Sequence, residues 1–377
     1  MAVFQVELKK VVDDSYPIEI GEKLAGRLIE DIRSGLLGEG KKLAVITDDR
    51  VEELYAAEIL RGLQDAGYAA ESFVIPAGEK SKTRRMKERL EDAMIAAGYR
   101  RDCAVIAVGG GVVSDLAGFL AGTYARGVPF VIYATTLLSA ADASIGGKTA
   151  VDTPAATNLI GLFHQPKKVY IDLNAWNTLP GRQICSGLAE TIKHACMADA
   201  DFFVWLEENI RRVRALDPDA CAYIAQKNCA IKYRVVMQDE REDGMREILN
   251  LGHTVGRAIE TVSDYRLLHG EAVAIGLSAQ AKLAERLGLM RTEETCRLAA
   301  LLQAAGLPTA IPAYIDREEL VRKLYTDKKV RGGRLRFVLQ QGIGAIACRE
   351  CTGPAAKRNY AYEISEEQAR EVIRAMP

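Results

Sequence analysis

The chain carries four histidines, at positions 164, 194, 253 and 269. His253 stands in NLGHTVGRAIE and His269 in LLHGEAVAIG, 16 residues apart, each beside a glycine. Both head an amphipathic helical pattern. The charged imidazolium is disfavoured at a helix start, so a neutral ring able to ligate a metal is favoured there. Glu190, in SGLAETIKHA, lies on an apolar helical stretch where an acid needs a partner. Two histidines and one carboxylate make a zinc-type catalytic site that leaves coordination open for a substrate. The 63 residues from Glu190 to His253 hold no connecting motif, so satisfied core histidines remain the alternative.

Single cations recur in apolar or glycine-rich settings. They are Arg126 in TYARGV, Lys148 in SIGGKTA, Lys193 beside the candidate ligand helix, Lys232, Arg246 before EILNLGH, and Lys328 in TDKKVRGG. Isolated charges at turns and helix ends suit phosphate or carboxylate binding, whereas runs of charge are solvated faces. A third candidate is GGGVVSDLAGFLAG, where Gly109, Gly110 and Gly111 close an apolar run ahead of a helical pattern. Glycines there admit a pyrophosphate close to the backbone at a helix N-terminus. The spacing is G-x-G-x-x-S, with Ser114 in place of the usual third glycine, and a tight structural turn is the competing explanation. Asp48 suits either a ribose hydroxyl or a helix N-cap. Glu79 and Lys82 lie in the polar turn AGEKSK, and Thr135 and Thr136 follow an apolar strand pattern.

The elements that must position these groups change character along the chain. Strand patterns at 41–49, 71–80, 103–111, 130–136 and 168–173 alternate with helical ones at 51–67 and 83–98. Such alternation predicts a parallel sheet with helices on both faces. Beyond Leu179 helical periodicity dominates, with a late hairpin expected over 333–346. The expected architecture is an α/β N-terminal domain, 1–178, and a mainly α-helical C-terminal domain, 179–377, with the boundary near 178–182.

The chain has 377 residues, net charge −1 and 49 % hydrophobic residues. That balance argues against nucleic acid or a membrane surface as partner. No apolar run is long enough to span a bilayer and MAVFQVELKK lacks the form of a signal peptide, so a cytoplasmic location is expected. The eight cysteines fit reduced, buried thiols. Cys348 and Cys351 form a lone C-x-x-C, read as incidental or, alternatively, as structural or redox-active.

Taken together, GGGVVSDLAGFLAGTYARGV, ATTLLSAADASIGGKTAVD, NLIGLFHQPKKVYID, SGLAETIKH, REILNLGHTVGRAIE, LHGEAVAIG and DKKVRGGRLRFVL resemble the 3-dehydroquinate synthase family of sugar phosphate cyclases, from about Asp48 to Leu339. The resemblance implies a Rossmann-like domain, a helical domain, a site between them, and a homodimer. It implies NAD, one divalent metal (zinc or cobalt), and conversion of the sugar phosphate DAHP to 3-dehydroquinate and phosphate in the shikimate route. In that chemistry a secondary alcohol is oxidised transiently, phosphate leaves, the hydride returns, and an intramolecular aldol step closes the ring. By resemblance Glu190, His253 and His269 are metal ligands. Asp48, Glu79, Lys82, Gly110, Gly111, Val112, Asp115, Thr135, Thr136, Lys148 and Thr178 correspond to NAD contacts. Lys148, Asn158, Lys193, Lys232, Arg246 and Lys328 correspond to substrate-binding positions. Asp142 and Glu242 correspond to further site positions, and Arg126 to an arginine that reaches across a dimer.

Two positions depart from the family pattern. Arg257 stands where G-H-T-x-G-H has its second histidine, and Thr157 where G-K-N has lysine. Arginine does not shuttle protons at neutral pH but binds phosphate and carboxylate, so Arg257 is expected to restore the positive charge lost at Thr157. These departures leave open a cyclase with another product, such as an amino-dehydroquinate or inosose synthase. An NAD- and metal-dependent polyol dehydrogenase and a catalytically dead binding protein are the more distant alternatives.

Overall fold

The computed structural model describes residues 8, 12–154, 156–325, 335–349 and 359–377. Lys328 and Cys351 lie outside the described residues. The first half alternates strands and helices. The strands are β1 (Ile18–Gly21), β2 (Lys42–Asp48), β3 (Ala70–Ile75), β4 (Cys103–Gly109), β5 (Phe130–Ala134), β6 (Lys148–Val151), β7 (Ile160–Phe163) and β8 (Val169–Asp172). Among them run α1 (Ala25–Arg33), α2 (Ala57–Asp65), α3 (Arg84–Ala96) and α4 (Gly111–Thr123). Six strands form one sheet in the order β1-β8-β5-β4-β2-β3, and every pairing in it is parallel.

The sequence of β2 and β4 explains this sheet. Both are continuous apolar runs, as strands covered on both faces must be. Leu43 and Val45 face Leu28, Ile32, Ile59 and Leu63 of α1 and α2. Ala44 and Ile46 face the opposite core, shared with Leu90 and Met94 of α3 and Leu116 of α4. The parallel strands end along one edge, and Asp48, Gly109 and Ala134 are the last residues of β2, β4 and β5 there.

The second half is helical: α5 (Gly181–Ala198), α6 (Ala200–Arg214), α7 (Pro218–Gln238), α8 (His253–Val262), α9 (His269–Arg286), α10 (Thr292–Ala304), α11 (Arg317–Leu324) and α12 (Glu366–Ala375). Asp199 and Asp217 accept hydrogen bonds from Phe202 N and Ala220 N, capping α6 and α7. Close approach sets the centre of this half. A Cβ on Gly270 of α9 would collide with the Ser186 carbonyl on α5, and one on Gly276 with the Gly252 carbonyl ahead of α8. Gly252 itself is left-handed, with φ +81.

The late hairpin is corrected in its pairing. β9 (Leu335–Val338) pairs antiparallel with β10 (Ala361–Ile364) rather than with the residues just after it. The chain does turn back, with a single bridge between Gln340 and Ile346. Gly342 and Gly344 are left-handed, and Gly344 N donates to Cys196 O on α5. Docking on the helices therefore removes this segment from the sheet. A small antiparallel pair, β6 with β7, was not anticipated. Cys103, Cys196, Cys221 and Cys229 are buried as expected, whereas Cys296 is exposed.

Candidate active site

α5, α8 and α9 bring Glu190, His253 and His269 together. The Nε2 atoms of His253 and His269 lie 3.6 and 3.3 Å from Glu190 Oε1, and the two rings are 5.3 Å apart. His253 Nδ1 lies 3.1 Å from Leu251 O, and His269 Nδ1 lies 2.9 Å from Glu260 Oε1. Tying each Nδ1 to an acceptor turns each Nε2 lone pair toward the common centre. Glu190 is fully buried, and neither of its oxygens has a hydrogen-bond partner. A buried carboxylate in that condition needs a cation. Lys193, one helical turn on, supplies one as an ion pair. Burial opposes ionisation of Glu190, yet Lys193 and the two imidazoles hold its carboxyl well below the usual range. Burial and Lys193 push the His253 ring far below its ordinary value. Burial also opposes the charge of His269, but Glu260 and Glu190 prevail and raise it. This donor set fits a four-coordinate divalent ion with one position open. Glu260 escaped the sequence reading, although it lies seven residues after His253 on the same helix.

His253 also lines a cleft of about 760 Å³ between the two halves. Asp115, Asp142, Lys148, Asn158, Lys193, Lys232, Glu242, Arg246 and Arg257 line it as well. Lys232 Nζ pairs with Asp142 Oδ1 at 2.7 Å, and Lys193 Nζ donates to Leu249 O at 3.0 Å. Lys148 Nζ meets Glu242 Oε2 at 2.6 Å, and Asn250 Nδ2 donates to Glu242 Oε1 at 2.8 Å. Desolvation lowers Lys148 to about 8 against the pull of Glu242, helped by the charges of Arg246 and Arg257. Arg246 is 1 % exposed, donates from Nη2 to Gly146 O at 2.8 Å, gives Nη1 to Glu240 O, and stacks over Phe163. Sequence reasoning missed Asn250, Arg336 and Asn359 in this lining. Asn250 stands three residues before His253 and carried a weak signal; Arg336 and Asn359 are joined only through β9 and β10.

The remaining expected residues gather at the strand ends. Lys82 is buried, with Nζ 2.5 Å from Asp115 Oδ2, 2.6 Å from Asn158 Oδ1 and 3.7 Å from Glu79 Oε1. These contacts overcome burial and raise its pKa. A Cβ on Gly110 would press on Thr136 Cγ2 at 3.0 Å. Gly111 and Val112 open α4, and the Thr135 hydroxyl is buried without a partner. Thr178 Oγ1 lies 2.8 Å from the Tyr55 hydroxyl. Asp48 Oδ1 accepts from Arg50 N and Val51 N, so the capping role is present whatever else it binds. An open helix N-terminus, a glycine edge and an orphan hydroxyl fit a dinucleotide at a parallel-sheet edge. Arg126 is not brought to this cleft: it is exposed and left-handed in the turn between α4 and β5. Thr157 is likewise outside the lining.

Residues 72–186 match the 3-dehydroquinate synthase N-terminal family and residues 187–330 match the 3-dehydroquinate synthase C-terminal family. A 3-dehydroquinate synthase of Desulforamulus reducens is 44 % identical over 347 residues, 92 % of this chain and 95 % of that one. One from Shewanella loihica is 43 % identical over 360 residues, 95 % and 96 % of the two chains. Among solved structures, a 2-deoxy-scyllo-inosose synthase with carbaglucose-6-phosphate, NAD+ and Co2+ superposes with TM-score 0.84 at 26 % identity, covering 96 % of each chain. A 2-epi-5-epi-valiolone synthase from Streptomyces hygroscopicus with NAD+ and Zn2+ also gives 0.84 at 26 % identity, covering 98 % of each. An NADH-dependent butanol dehydrogenase from Thermotoga maritima, 15 % identical with TM-score 0.68 over 97 % of this chain and 98 % of that one, shares the fold.

Proposed function

Since the chain belongs to the 3-dehydroquinate synthase family, we propose that its cleft converts DAHP to 3-dehydroquinate and inorganic phosphate, as a step of the shikimate route. The observation that carries this reading is the Glu190, His253 and His269 cluster opening, through His253, onto a cleft lined with cations. Those three side chains would hold one zinc or cobalt ion. NAD would lie along the strand ends, against Asp48, Glu79, Lys82, Gly110, Gly111, Val112, Asp115, Thr135, Thr136 and Thr178. When bound, NAD supplies a reversible hydride acceptor and the ion supplies Lewis acidity.

The rest is positioning and charge. Lys193 Nζ stands between Glu190 and the Leu249 carbonyl, where it orients a substrate hydroxyl beside the ligand cluster. Lys232 and Asp142 form a donor–acceptor pair for the sugar hydroxyls. Lys148 Nζ, held by Glu242, offers a proton to a leaving oxygen near neutral pH. Asn158 adds an amide from the β6–β7 loop. Arg246, its fork occupied by carbonyls, shapes the wall and contributes field rather than a free bidentate contact.

We also propose a division into 1–178 and 179–377, action as a homodimer in the cytoplasm, and a small-molecule partner rather than nucleic acid or membrane. The exposed Arg126, outside this chain's cleft, suits a role in the cleft of a second copy. The test supplies purified, zinc- or cobalt-loaded protein with NAD and DAHP. Phosphate and 3-dehydroquinate should appear together with no net NADH, and Glu190→Ala should be silent. NADH accumulating from a polyol, or phosphate released from a hexose phosphate but not from DAHP, overturns the assignment.

A further inference from the structure

We infer that Arg182 is a positioning residue for the ligand cluster: from the first turn of α5 it fixes where α9 begins, and so where His269 meets Glu190. This role presupposes the proposed reading of Glu190, His253 and His269 as metal ligands, but not the identity of the substrate.

Arg182, Ser186 and Glu190 stand four residues apart along α5 and so share one face of it. Each meets the start of α9. Arg182 donates from Nε to Glu271 Oε1 at 2.7 Å and from Nη2 to Glu271 Oε2 at 2.6 Å. Its Nη2 also donates to Arg266 O at 2.9 Å. Ser186 Oγ accepts from Gly270 N at 3.0 Å, and Glu190 Oε1 lies 3.3 Å from His269 Nε2. Glu271 in turn accepts from Leu268 N at 2.8 Å, which caps the first turn of α9. Arg266, Leu268, Gly270 and Glu271 are thus tied, directly or through the Glu271 carboxylate, to the stripe that carries the carboxylate ligand.

The way the chain enters α9 makes such a tie necessary. α8 ends at Val262 and α9 starts at His269. Between them Asp264 and Tyr265 are both left-handed, with φ +51 and +56. Successive non-glycine residues in that region persist only where their surroundings hold them. Asp264 N, Tyr265 N and Arg266 N donate back to Thr261 O, Glu260 O and Ser263 O, which holds the turn to α8. Arg182 holds the same turn to α5. An ion takes its ligands at about 2 Å, so a slip of α9 by one residue's rise, about 1.5 Å, is enough to spoil the donor set. An exposed ion pair as such adds little stability, and Arg182 is 55 % exposed where Glu271 is 13 % exposed. A planar fork set on a carboxylate and a backbone carbonyl fixes direction, however, and that is what a ligand on the next helix requires.

Zinc, titrated against a competing chelator into the NAD-loaded protein, is the probe. Arg182→Ala should weaken zinc binding about tenfold, while the Tm of the metal-free protein stays close to the parent's. With cobalt in place of zinc, the visible absorption of the ion should change, because it reports the angles among the ligands. Arg182→Lys keeps the charge but has one nitrogen for three acceptors, and should recover only part of the loss. Arg286→Ala removes an ion pair with Glu371 at the far end of α9 and should leave zinc affinity at the parental level. Unchanged zinc affinity and cobalt spectrum in Arg182→Ala overturn the inference. An equal loss in Arg286→Ala, or parental affinity in Arg182→Lys, also overturns it, since any ion pair on α9, or charge alone, would then suffice. A metal-free Tm several degrees below the parent's would make Arg182 a general brace and remove the positioning role. A parent that takes up no zinc overturns the ligand reading and this role with it, whereas zinc uptake without turnover of DAHP counts against the proposed reaction alone.

Discussion

At the scale of single residues, the ligand cluster was legible in part: an acid on an apolar helix needs a partner, and two histidines at helix starts, each beside a glycine, offer one. What the sequence did not disclose was how each ring is held. Glu260 grips His269 from a neighbouring helix, and the Leu251 carbonyl lies against His253. Replacing Glu260 with Gln should weaken zinc binding about 10–100-fold while sparing NAD, as metal titration against a competing chelator would show. Lys148 gives a pH signature. Its ammonium is lost as pH rises through about 8, so the anion-binding form predominates below that point. The alkaline limb of kcat/KM for DAHP should therefore fall near pH 8. Lys148→Arg should move that limb upward; a parent profile flat to pH 10 would contradict the assignment.

At the scale of elements, long periodic helices and two-sided strands announced themselves. The four-residue strands β1, β6 and β7 are too short for a period to register, whereas β8, equally short, is buried along its whole length and reads as an apolar run. The late hairpin went wrong for a related reason: β10 comes from a distant stretch that local pattern does not link to β9. The glycines of α9 stand in LHGEAVAIG, and their task follows only from the meeting of the helices. Gly276→Ala would set a methyl group against a backbone carbonyl that has little room to yield. We expect a loss of about 1–3 kcal/mol, read as a lower Tm, together with reduced zinc occupancy because α8 and α9 would be spread apart. Parental stability and occupancy would refute this account of the contact.

At the scale of the whole molecule, one apolar core runs from the sheet into the helices: Val105 and Leu116 belong to the same cluster as Leu188, Ile259 and Leu277. The two halves should thus unfold in one transition by both fluorescence and circular dichroism. An ion held by three helices adds to that stability by mass action, by about 4 kcal/mol at a thousandfold excess over Kd. Chelation should lower Tm by several degrees without splitting the transition, and two resolved transitions in the zinc-loaded protein would contradict the single core. Arg246 is contributed by the helical half, yet it clasps the Gly146 carbonyl of the sheet half. Drawing the halves apart at that point would break the clasp and let water take over both groups, so it acts as a latch at the back of the mouth, undone at the cost of little more than its own hydrogen bond.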